Sequence, residues 1–275
     1  MSRFRIISMP VFVLAFVLFL LSPAAAVAEQ APQGCTDHFF SGEMPAISQT
    51  AGDTTRLLCY SGFALLHSGL RKTPIWSAEH LTSDRVEATR TAGGRRGNTF
   101  HVETRLPANE RASLADYRGA TSEFDRGHMS AAGDMASRAS KRESFTLANM
   151  IPQQACNNEE LWEGIESAVR QLAEDEDEIF VVTGPVYSTS EEPRTIGDGV
   201  AVPSQIFKAV YLPSREEGAV YIALNADTKQ AAAVTLDELR PLTGIDIFPS
   251  LPASIKQSAL ELPPPQPPRF RCRLR

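Results

Sequence analysis

The sequence has little of what marks zinc modules, membrane proteins and broadly basic proteins. Four cysteines occur in 275 residues, with no C-x-x-C pair and no Cys/His cluster, so the ligand spacing typical of a zinc site is missing. After the first 28 residues no apolar run approaches the about 20 residues that a membrane-spanning helix needs. The formal net charge is −6 at pH 7, which argues against a surface that is basic throughout.

The N-terminal segment is typical of a secretory signal. Arg3 and Arg5 precede an apolar run from Ile6 to Leu21, and small residues follow at Ala26-Val27-Ala28. This layout predicts cleavage after Ala28, no stable membrane insertion afterwards, and a periplasmic or secreted location for the remaining chain. An uncleaved membrane anchor is the alternative, because the apolar run is close to spanning length, but the A-x-A site favours cleavage.

The stretch from Phe124 to Glu166 carries the most informative pattern. Residues 124–129 and 145–153 are extended segments in this interpretation, and the turn-rich residues 130–142 let them return alongside each other. Asn157 or Asn158 is then a suitable cap for a helix whose apolar residues recur at helical spacing. The order strand, loop, strand, helix would bring His128 on the first strand close to Asn158 on the helix.

One face of the predicted helix is rich in oxygen ligands. Asn158, Trp162 and Glu166 are four residues apart and share a broad face, with the backbones of the first and last about 12 Å apart. Such an edge suits Mg²⁺, which prefers oxygen ligands and keeps several waters. Taken singly, His128 would be a core histidine bonded to Asp125, and Asn158 a helix cap; their occurrence together favours a functional site.

Three ordered blocks in this stretch resemble the DNA/RNA non-specific endonuclease family, the sugar-non-specific ββα-metal nucleases that include mitochondrial endonuclease G. The blocks are Asp125-Arg126-Gly127-His128, Asn149-Met-Ile-Pro-Gln and Asn158-x-x-x-Trp162-x-x-x-Glu166. The resemblance implies a phosphodiester hydrolase that contains a ββα-metal (His-Me finger) motif and binds DNA and RNA through the phosphate backbone. The family often has Ala-Pro after the position of Met129, where this chain has Ser130-Ala131, and this leaves the geometry of the loop open.

The resemblance also implies roles for single residues. The position of Asn158 binds one Mg²⁺ in the family, and the position of Glu166 holds water on that metal. Neutral imidazole, with a reference pKa of about 6.5, can accept a proton from water near neutral pH, and we assign this role to His128. Asp125 and Arg126 are expected to shape the loop and to meet the phosphate or the metal waters. The metal would stabilise the leaving 3′ oxygen, so that the products carry 5′ phosphates, and Mn²⁺ could replace Mg²⁺.

Two further residues complete the predicted site. We expect Asn149 to orient the His128 strand through hydrogen bonds. An arginine in the family contacts the scissile phosphate, and a guanidinium fits phosphate oxygens well. Arg95 and Arg96 both match its place in the chain, and the spacing leaves open which of them it is; our choice is Arg96. A basic turn without a catalytic role is the alternative.

The positive charges of the chain are concentrated around the motif. Between residues 85 and 142 there are eleven Lys/Arg and seven Asp/Glu. This local excess suits a phosphate-bearing substrate, and an ordinary solvated surface is the alternative explanation.

The rest of the chain predicts one α+β domain over residues 29–261, with a mostly antiparallel central sheet flanked by helices. Residues 57–66 and 74–81 form a predicted hairpin across which His67 and His80 could face each other, more simply as structural residues. Three apolar stretches, 178–187, 206–212 and 219–224, are predicted central strands, and residues 235–239 begin a short helix that ends before Gly244. Residues 262–275 form a basic, Pro-rich tail.

Four cysteines in an exported chain predict two disulfides, for which three pairings exist. We choose Cys35 with Cys59 and Cys156 with Cys272, because the second bridge would join the tail to the helix that bears Asn158.

The sequence leaves two candidate functions: an exported, Mg²⁺-dependent endonuclease, or an exported nucleic-acid-binding protein that cleaves nothing. Binding alone requires no His, Asn and Glu set, which favours the enzyme. The sequence leaves a homodimer open.

Overall fold

The computed structural model describes residues 29–48, 52–92, 99–119, 123–188 and 190–268, together with Cys272. The predicted signal, 1–28, and the loop that contains Arg95 and Arg96 lie outside the described residues. In the described part of the chain, no helix has both the length and the apolar character needed to cross a membrane.

A seven-stranded sheet with antiparallel pairing throughout forms the centre of the domain. The strands of the described residues are β1 Ala46–Ile47, β2 Thr55–Cys59, β3 Ala64–Ser68, β4 Thr73–Thr82, β5 Phe124–His128, β6 Met150–Gln154, β7 Glu178–Val186, β8 Thr195–Ile196, β9 Val200–Ala201, β10 Gln205–Leu212, β11 Glu217–Leu224, β12 Ala232–Val234 and β13 Ile245–Asp246. The strand order in the central sheet is β12-β11-β10-β7-β4-β3-β2. Three further two-stranded pairs are β1 with β13, β5 with β6 and β8 with β9. The predicted α+β class with a mostly antiparallel sheet is confirmed.

Helices cover both faces of the sheet. The α-helices are α1 Ser83–Thr91, α2 Leu114–Arg118, α3 Arg138–Ser144, α4 Glu163–Glu176, α5 Leu236–Thr243 and α6 Ala253–Gln257, and a π-helical turn, Asn157–Trp162, precedes α4. Short 3-10 turns lie at Thr36–His38, Phe40–Gly42, Ala108–Glu110, Ala132–Asp134 and Leu147–Asn149. The predicted helix near residue 235 is confirmed, since Thr235 and Glu238 form a capping box and Gly244, in a left-handed conformation, ends it.

The central strands are apolar on both faces because two cores enclose the sheet. Along β7, Phe180 and Val182 belong to the core beneath α5, whereas Ile179 and Val181 belong to the core beneath α4. Successive side chains of a strand point to opposite faces, so a strand covered on both sides is hydrophobic at nearly every position. This explains why these segments are continuous apolar runs in the sequence.

The unit made of β5, β6 and the following helix packs on the α4 face of the sheet. Met129 and Ile151 of the hairpin join Trp162, Ile165 and other residues of the helix in one buried cluster. The unit is therefore held against a rigid sheet on one side. The predicted strand, loop, strand, helix order is confirmed.

Two local details of this unit differ from the prediction. Residues 130–142 are not only turns, because α3 begins within them, with Ser137 capping the helix through Ser140. The second extended segment starts later than expected, at Met150, and Asn149 closes a 3-10 turn before it. In both places local side-chain capping, by Ser137 and Thr146, favours a helical turn over extended chain.

The histidine pair proposed across the first hairpin does not form. His67 lies opposite Pro74 and its Nε2 contacts the Glu110 carbonyl at 2.8 Å. His80 lies opposite Phe180 of β7, and its Nε2 contacts Glu178 Oε1 at 2.8 Å. The two histidines do not face each other because β4 is ten residues long and its second half pairs with β7 rather than with β3. Both histidines take the structural role that was the simpler reading.

Both predicted disulfides are present. Cys35 bonds to Cys59 across 24 residues, and Cys156 bonds to Cys272 across 116 residues. The second bridge joins the C-terminal tail to the chain just ahead of Asn158, as the choice of pairing required.

Candidate active site

A hydrogen bond joins the helix of the ββα unit to its first strand. Asp125 lies on β5 opposite Gln153 of β6, and Asn158 Nδ2 donates to Asp125 Oδ2 at 2.9 Å. This bond fixes the orientation of the carboxamide, because its nitrogen faces the carboxylate. Asn158 Oδ1 accepts no hydrogen bond from any described residue. His128 follows Asp125 by three residues, about 10 Å along the strand.

The turn that carries Asn158 has π-helical geometry, and neither asparagine caps it. Helical residues begin at Ala155, before both asparagines. Asn157 instead accepts from Gln153 Nε2 at 2.8 Å and donates to the Leu224 carbonyl at 3.0 Å. The predicted cap was wrong because both carboxamides are used in contacts between distant elements. Single π turns inside helices are rare and occur often at functional sites.

His128 lies among aromatic rings at the end of β5. The Phe145 ring meets the imidazole edge to face at 4.8 Å between centroids, and the Phe100 ring lies 5.8 Å away. The guanidinium of Arg126 stacks over the same Phe100 ring at 4.1 Å. His128 and Arg126 are two positions apart on β5 and therefore share one face of the strand. An imidazole and a guanidinium fork thus stand side by side.

Asn149 holds the chain that follows His128. Its Oδ1 accepts from Ser130 N–H, and its Nδ2 donates to the carbonyls of Ser130 and Ser144, all at 2.9 Å. Its own carbonyl accepts from Met129 N–H at 3.0 Å. Asn149 is fully buried, so these bonds replace all solvation of the amide. The contacts fit the expected role of orienting the His128 strand.

A row of buried polar side chains connects this segment to the sheet. Ser130 Oγ lies 2.5 Å from Ser77 Oγ on β4. Ser77 and Lys208 pair with Thr183 of β7 from opposite sides, and Lys208 Nζ donates to Thr183 Oγ1 at 2.7 Å. Sequence reasoning missed this row because it forms across three strands. The only available signal was a lone lysine within the apolar run 206–212.

Glu166 is a half-buried carboxyl on α4. Burial raises the pKa of Glu166 to about 7, the positive charge of Lys208 opposes this shift, and the negative charge of Asp134 adds to it. Arg170, one turn further along the helix, also opposes the shift and pairs with Asp134 at 2.8 Å. A carboxyl whose pKa is perturbed by burial and by specific charged neighbours is more common at functional sites than elsewhere.

Glu79, on β4, is a second buried carboxyl that the sequence did not single out. It is 1% exposed, and neither of its oxygens has a hydrogen-bond partner among the described residues. Burial raises the pKa of Glu79 to about 8, and the neighbouring Asp134 adds to this, whereas Lys208 and Arg85 oppose it. The α4 face of the sheet therefore contains a group of interacting charges, among which Lys208 Nζ lies 5.8 Å from the centre of the Trp162 ring.

The structure explains why position 127 is a glycine: a larger side chain would collide with Gln153. A Cβ at this position would lie 2.0 Å from Gln153 Oε1 and 2.5 Å from Gln153 Cβ. The side chain of Gln153 fills the space beside the glycine and reaches Asn157 at 2.8 Å. Gly127 thereby allows β6 to connect with the helix directly behind the motif.

The structure divides the basic residues around the motif into two groups. Several serve the fold: Arg85 donates to backbone carbonyls of Gly62, His80 and Asp134, Arg105 pairs with Glu103, and Arg111 donates to the carbonyls of Glu103 and Leu106. Arg138 and Arg142 of α3 are exposed. Where Arg96 stands relative to this site stays a prediction.

The donor set suits a hydrated cation rather than zinc. Within the described ranges no three His, Cys, Asp or Glu side chains lie close enough to share a metal ion, and all four cysteines are in disulfides. A structural zinc site needs about four protein ligands, whereas Mg²⁺ can be held by one or two oxygens and its own waters. The carboxamide oxygen of Asn158, oriented by Asp125, fits the second case.

Comparison with known proteins decides the family. A model of the DNA/RNA non-specific endonuclease family matches residues 41–254. The chain belongs to this family. The match spans the ββα unit and all seven strands of the central sheet, and it confirms the resemblance seen in the three sequence blocks.

Named relatives cover most of the domain. Mitochondrial nuclease EXOG of Mus musculus is 29% identical over 225 residues, which are 74% of this chain and 59% of the relative. Mitochondrial endonuclease G of Bos taurus is 29% identical over 230 residues, which are 76% of this chain and 72% of the relative. The chain thus spans less than two thirds of the EXOG relatives, 59% and 58% of the mouse and human proteins.

A solved structure shares the fold. The chain matched in a crystal structure of the EndoG/EndoGI complex, which describes the mechanism of EndoG inhibition, has a TM-score of 0.67 and 26% identity. The match covers 72% of this chain and 88% of that one. The architecture of a ββα-metal nuclease is therefore established for this member of the family.

Proposed function

We propose that this protein is an exported, Mg²⁺-dependent endonuclease that hydrolyses phosphodiester bonds of DNA and RNA with little preference for base or sugar. The observation that carries the proposal is the bond between Asn158 and Asp125, which joins the helix to the strand of His128 and engages the carboxamide nitrogen rather than its oxygen. Family membership supports the reaction class, and the arrangement of these residues supports their roles.

His128 acts as the general base in this proposal. Hydrolysis of a phosphodiester requires removal of a proton from the attacking water, and imidazole is suited to that near neutral pH. The rings of Phe100 and Phe145 limit the orientations of the imidazole. Asn149 and Ser130 hold the backbone that follows it, so the base sits on a supported strand end rather than on a mobile loop.

Arg126 and Asn158 have different roles towards the negative charge of the substrate: Arg126 would bind phosphate directly, and Asn158 would hold a cation. The guanidinium of Arg126, held over Phe100, can donate two parallel hydrogen bonds to phosphate oxygens. Asn158 would hold Mg²⁺, or Mn²⁺, through Oδ1, and Glu166 would accept hydrogen bonds from water near that cation. When bound, the cation supplies positive charge opposite the phosphate and the leaving oxygen. Arg96 is proposed as a further phosphate ligand.

The rest of the surface supports binding to the nucleic-acid backbone. The exposed Arg138 and Arg142 lie on α3, within the ββα unit. Contacts of this kind bind phosphate without reading sequence, which agrees with low specificity. Export is supported by the signal-like residues 1–28 and by two disulfides, because disulfides persist in oxidising compartments.

A plasmid assay tests the proposal. The protein lacking residues 1–28 is incubated with supercoiled plasmid and with RNA, in Mg²⁺ and in EDTA, beside His128→Ala. His101→Ala is a matched control, because His101 is an exposed histidine near Phe145 without an assigned role. We expect cleavage of both substrates by the wild type and by His101→Ala, and none with EDTA or His128→Ala. Intact but shifted DNA with the wild type would instead identify a binding protein.

A further inference from the structure

The C-terminal segment lies along the helix that bears Asn158. This strap, which we define as residues 260–268 together with Cys272, begins where Leu260 N–H donates to the Gly218 carbonyl at 3.3 Å. Tyr221 Oη then donates to the Pro263 carbonyl at 2.6 Å, and Gln266 N–H donates to the Gly164 carbonyl at 2.9 Å. Leu260 and Leu262 pack in the same buried cluster as Trp162 and Ile165. The strap is thus attached to the folded domain by hydrogen bonds and by buried leucines.

Gly164 allows the strap to touch the helix backbone. A Cβ at this position would lie 2.4 Å from the Gln266 carbonyl oxygen and 3.3 Å from Pro265 Cβ. The nearest of these atoms, the Gln266 carbonyl oxygen, belongs to the backbone. Backbone atoms cannot move aside as easily as the end of a flexible side chain. Glycine is unfavourable inside a helix, so its presence in the first turn of α4 is explained by the close approach of the strap.

Two attachments then flank the proposed metal ligand. Cys156, two residues before Asn158, forms the disulfide with Cys272. Glu160, two residues after Asn158, accepts from Cys272 N–H at 2.6 Å and pairs with Lys229 at 2.7 Å. The strap therefore holds the chain on both sides of Asn158 within a single helical turn. That turn is the π-helical one, a geometry that persists where the surroundings determine it.

We propose that the strap positions Asn158 for the divalent cation, and that opening the Cys156–Cys272 disulfide weakens cation binding. The proposal rests on the proposed function, because it takes Asn158 as the metal ligand. With the disulfide open, Cys272 no longer presents its N–H to Glu160, and the turn can relax towards α-helical geometry. The carboxamide then leaves the orientation that its bond to Asp125 defines. The strap residues touch no reacting atom and act through Asn158.

The first test compares the two disulfides. Cys156→Ala/Cys272→Ala opens the strap, and Cys35→Ala/Cys59→Ala is the matched control, since it removes a disulfide from the core on the other face of the sheet. Mn²⁺ binding is measured by electron paramagnetic resonance, and amide exchange is followed over residues 155–163. We expect Mn²⁺ to bind about 10- to 20-fold more weakly in the strap variant alone, the lower end of the range found for groups that orient metal ligands. We also expect residues 155–163 to exchange faster in that variant alone. Equal Mn²⁺ affinity in the two variants would overturn the proposal.

A second variant keeps the proposal testable if the first does not fold. Gly164→Ala adds one methyl group that should favour the isolated helix yet displaces Gln266. We expect weaker Mn²⁺ binding in the full chain, and no effect of the same substitution when residues 263–275 are deleted and Cys156 is replaced by Ala. An unchanged affinity in the full chain would contradict the role of the strap.

The failure of this inference can be told from failure of the proposed function. If Asn158→Ala binds Mn²⁺ as the wild type does, Asn158 is not the ligand and the proposed function fails at that residue. If Asn158→Ala loses Mn²⁺ while both strap variants bind it normally, the ligand stands and only the strap is refuted.

Discussion

Removing the carboxylate of Asp125 should raise the metal requirement of the enzyme without abolishing catalysis at saturating metal. Asp125 Oδ2 accepts the bond that fixes the Asn158 carboxamide, at 2.9 Å and partly shielded from solvent. In Asp125→Ala the Asn158 carboxamide can rotate, so part of the free energy of cation binding is used to order it again. Asp125→Asn keeps an uncharged acceptor and should show a smaller effect.

The magnitude follows from the strength of that bond. A hydrogen bond to a charged group contributes about 1.5–3 kcal/mol, and each 1.4 kcal/mol is tenfold in an equilibrium constant. If most of this is lost from cation binding, the Mg²⁺ concentration for half-maximal cleavage rises about 10- to 100-fold, the range known for groups that orient metal ligands.

The assay is the initial rate of plasmid nicking as a function of Mg²⁺ concentration. Glu123→Ala is the matched control, because it removes the same charge two positions earlier, where Glu123 pairs with Arg194 at the surface at 2.6 and 2.7 Å. We expect the control to keep the wild-type requirement within about twofold. An Asp125→Ala enzyme with the wild-type Mg²⁺ requirement, or with the same change as Glu123→Ala, would refute the reasoning.

Two further changes test the support of the site. Asn149→Ala leaves one N–H and two carbonyls without their partner. At about 1 kcal/mol for each lost hydrogen bond, we expect the free energy of unfolding to fall by about 3 kcal/mol and the thermal midpoint by about 6–12 °C. A midpoint within 2 °C of the wild type would contradict this. Glu79→Gln should change the pH dependence of stability: because the folded pKa of Glu79 is raised to about 8, its contribution is fully present below its unfolded pKa and is lost as pH rises through 8. Urea midpoints between pH 5 and 9 should therefore fall less steeply in Glu79→Gln than in the wild type, and parallel curves would count against a buried, titrating Glu79.

Local pattern was enough to predict the ββα unit, because its strands and helix are consecutive in the chain. The same holds for the apolar strands, since residues such as Ile179 and Phe180 are buried on opposite faces and leave a continuous signal. The pairing of Cys156 with Cys272 could be predicted because Cys156 lies close to Asn158, on the helix that the tail was expected to reach, and the structure confirms it.

What the sequence could not predict depends on long-range pairing. Glu79 and Lys208 are 129 positions apart in the numbering and meet only because β7 pairs with both β4 and β10. The use of Asn157 in a contact with Leu224 likewise requires the sheet to be in place, so a capping role was the natural but incorrect interpretation. The π-helical turn has no sequence signal of its own, since the two flanking attachments to the strap are also distant in the chain.

The most direct test of the account separates its two central residues by Mn²⁺ binding in the absence of nucleic acid. Electron paramagnetic resonance titrations are run on the wild type, His128→Ala and Asn158→Ala. Because His128 is proposed to move a proton and Asn158 to hold the cation, we expect His128→Ala to bind Mn²⁺ as the wild type does and Asn158→Ala to lose the site. Loss of binding in His128→Ala, or its retention in Asn158→Ala, would contradict the account.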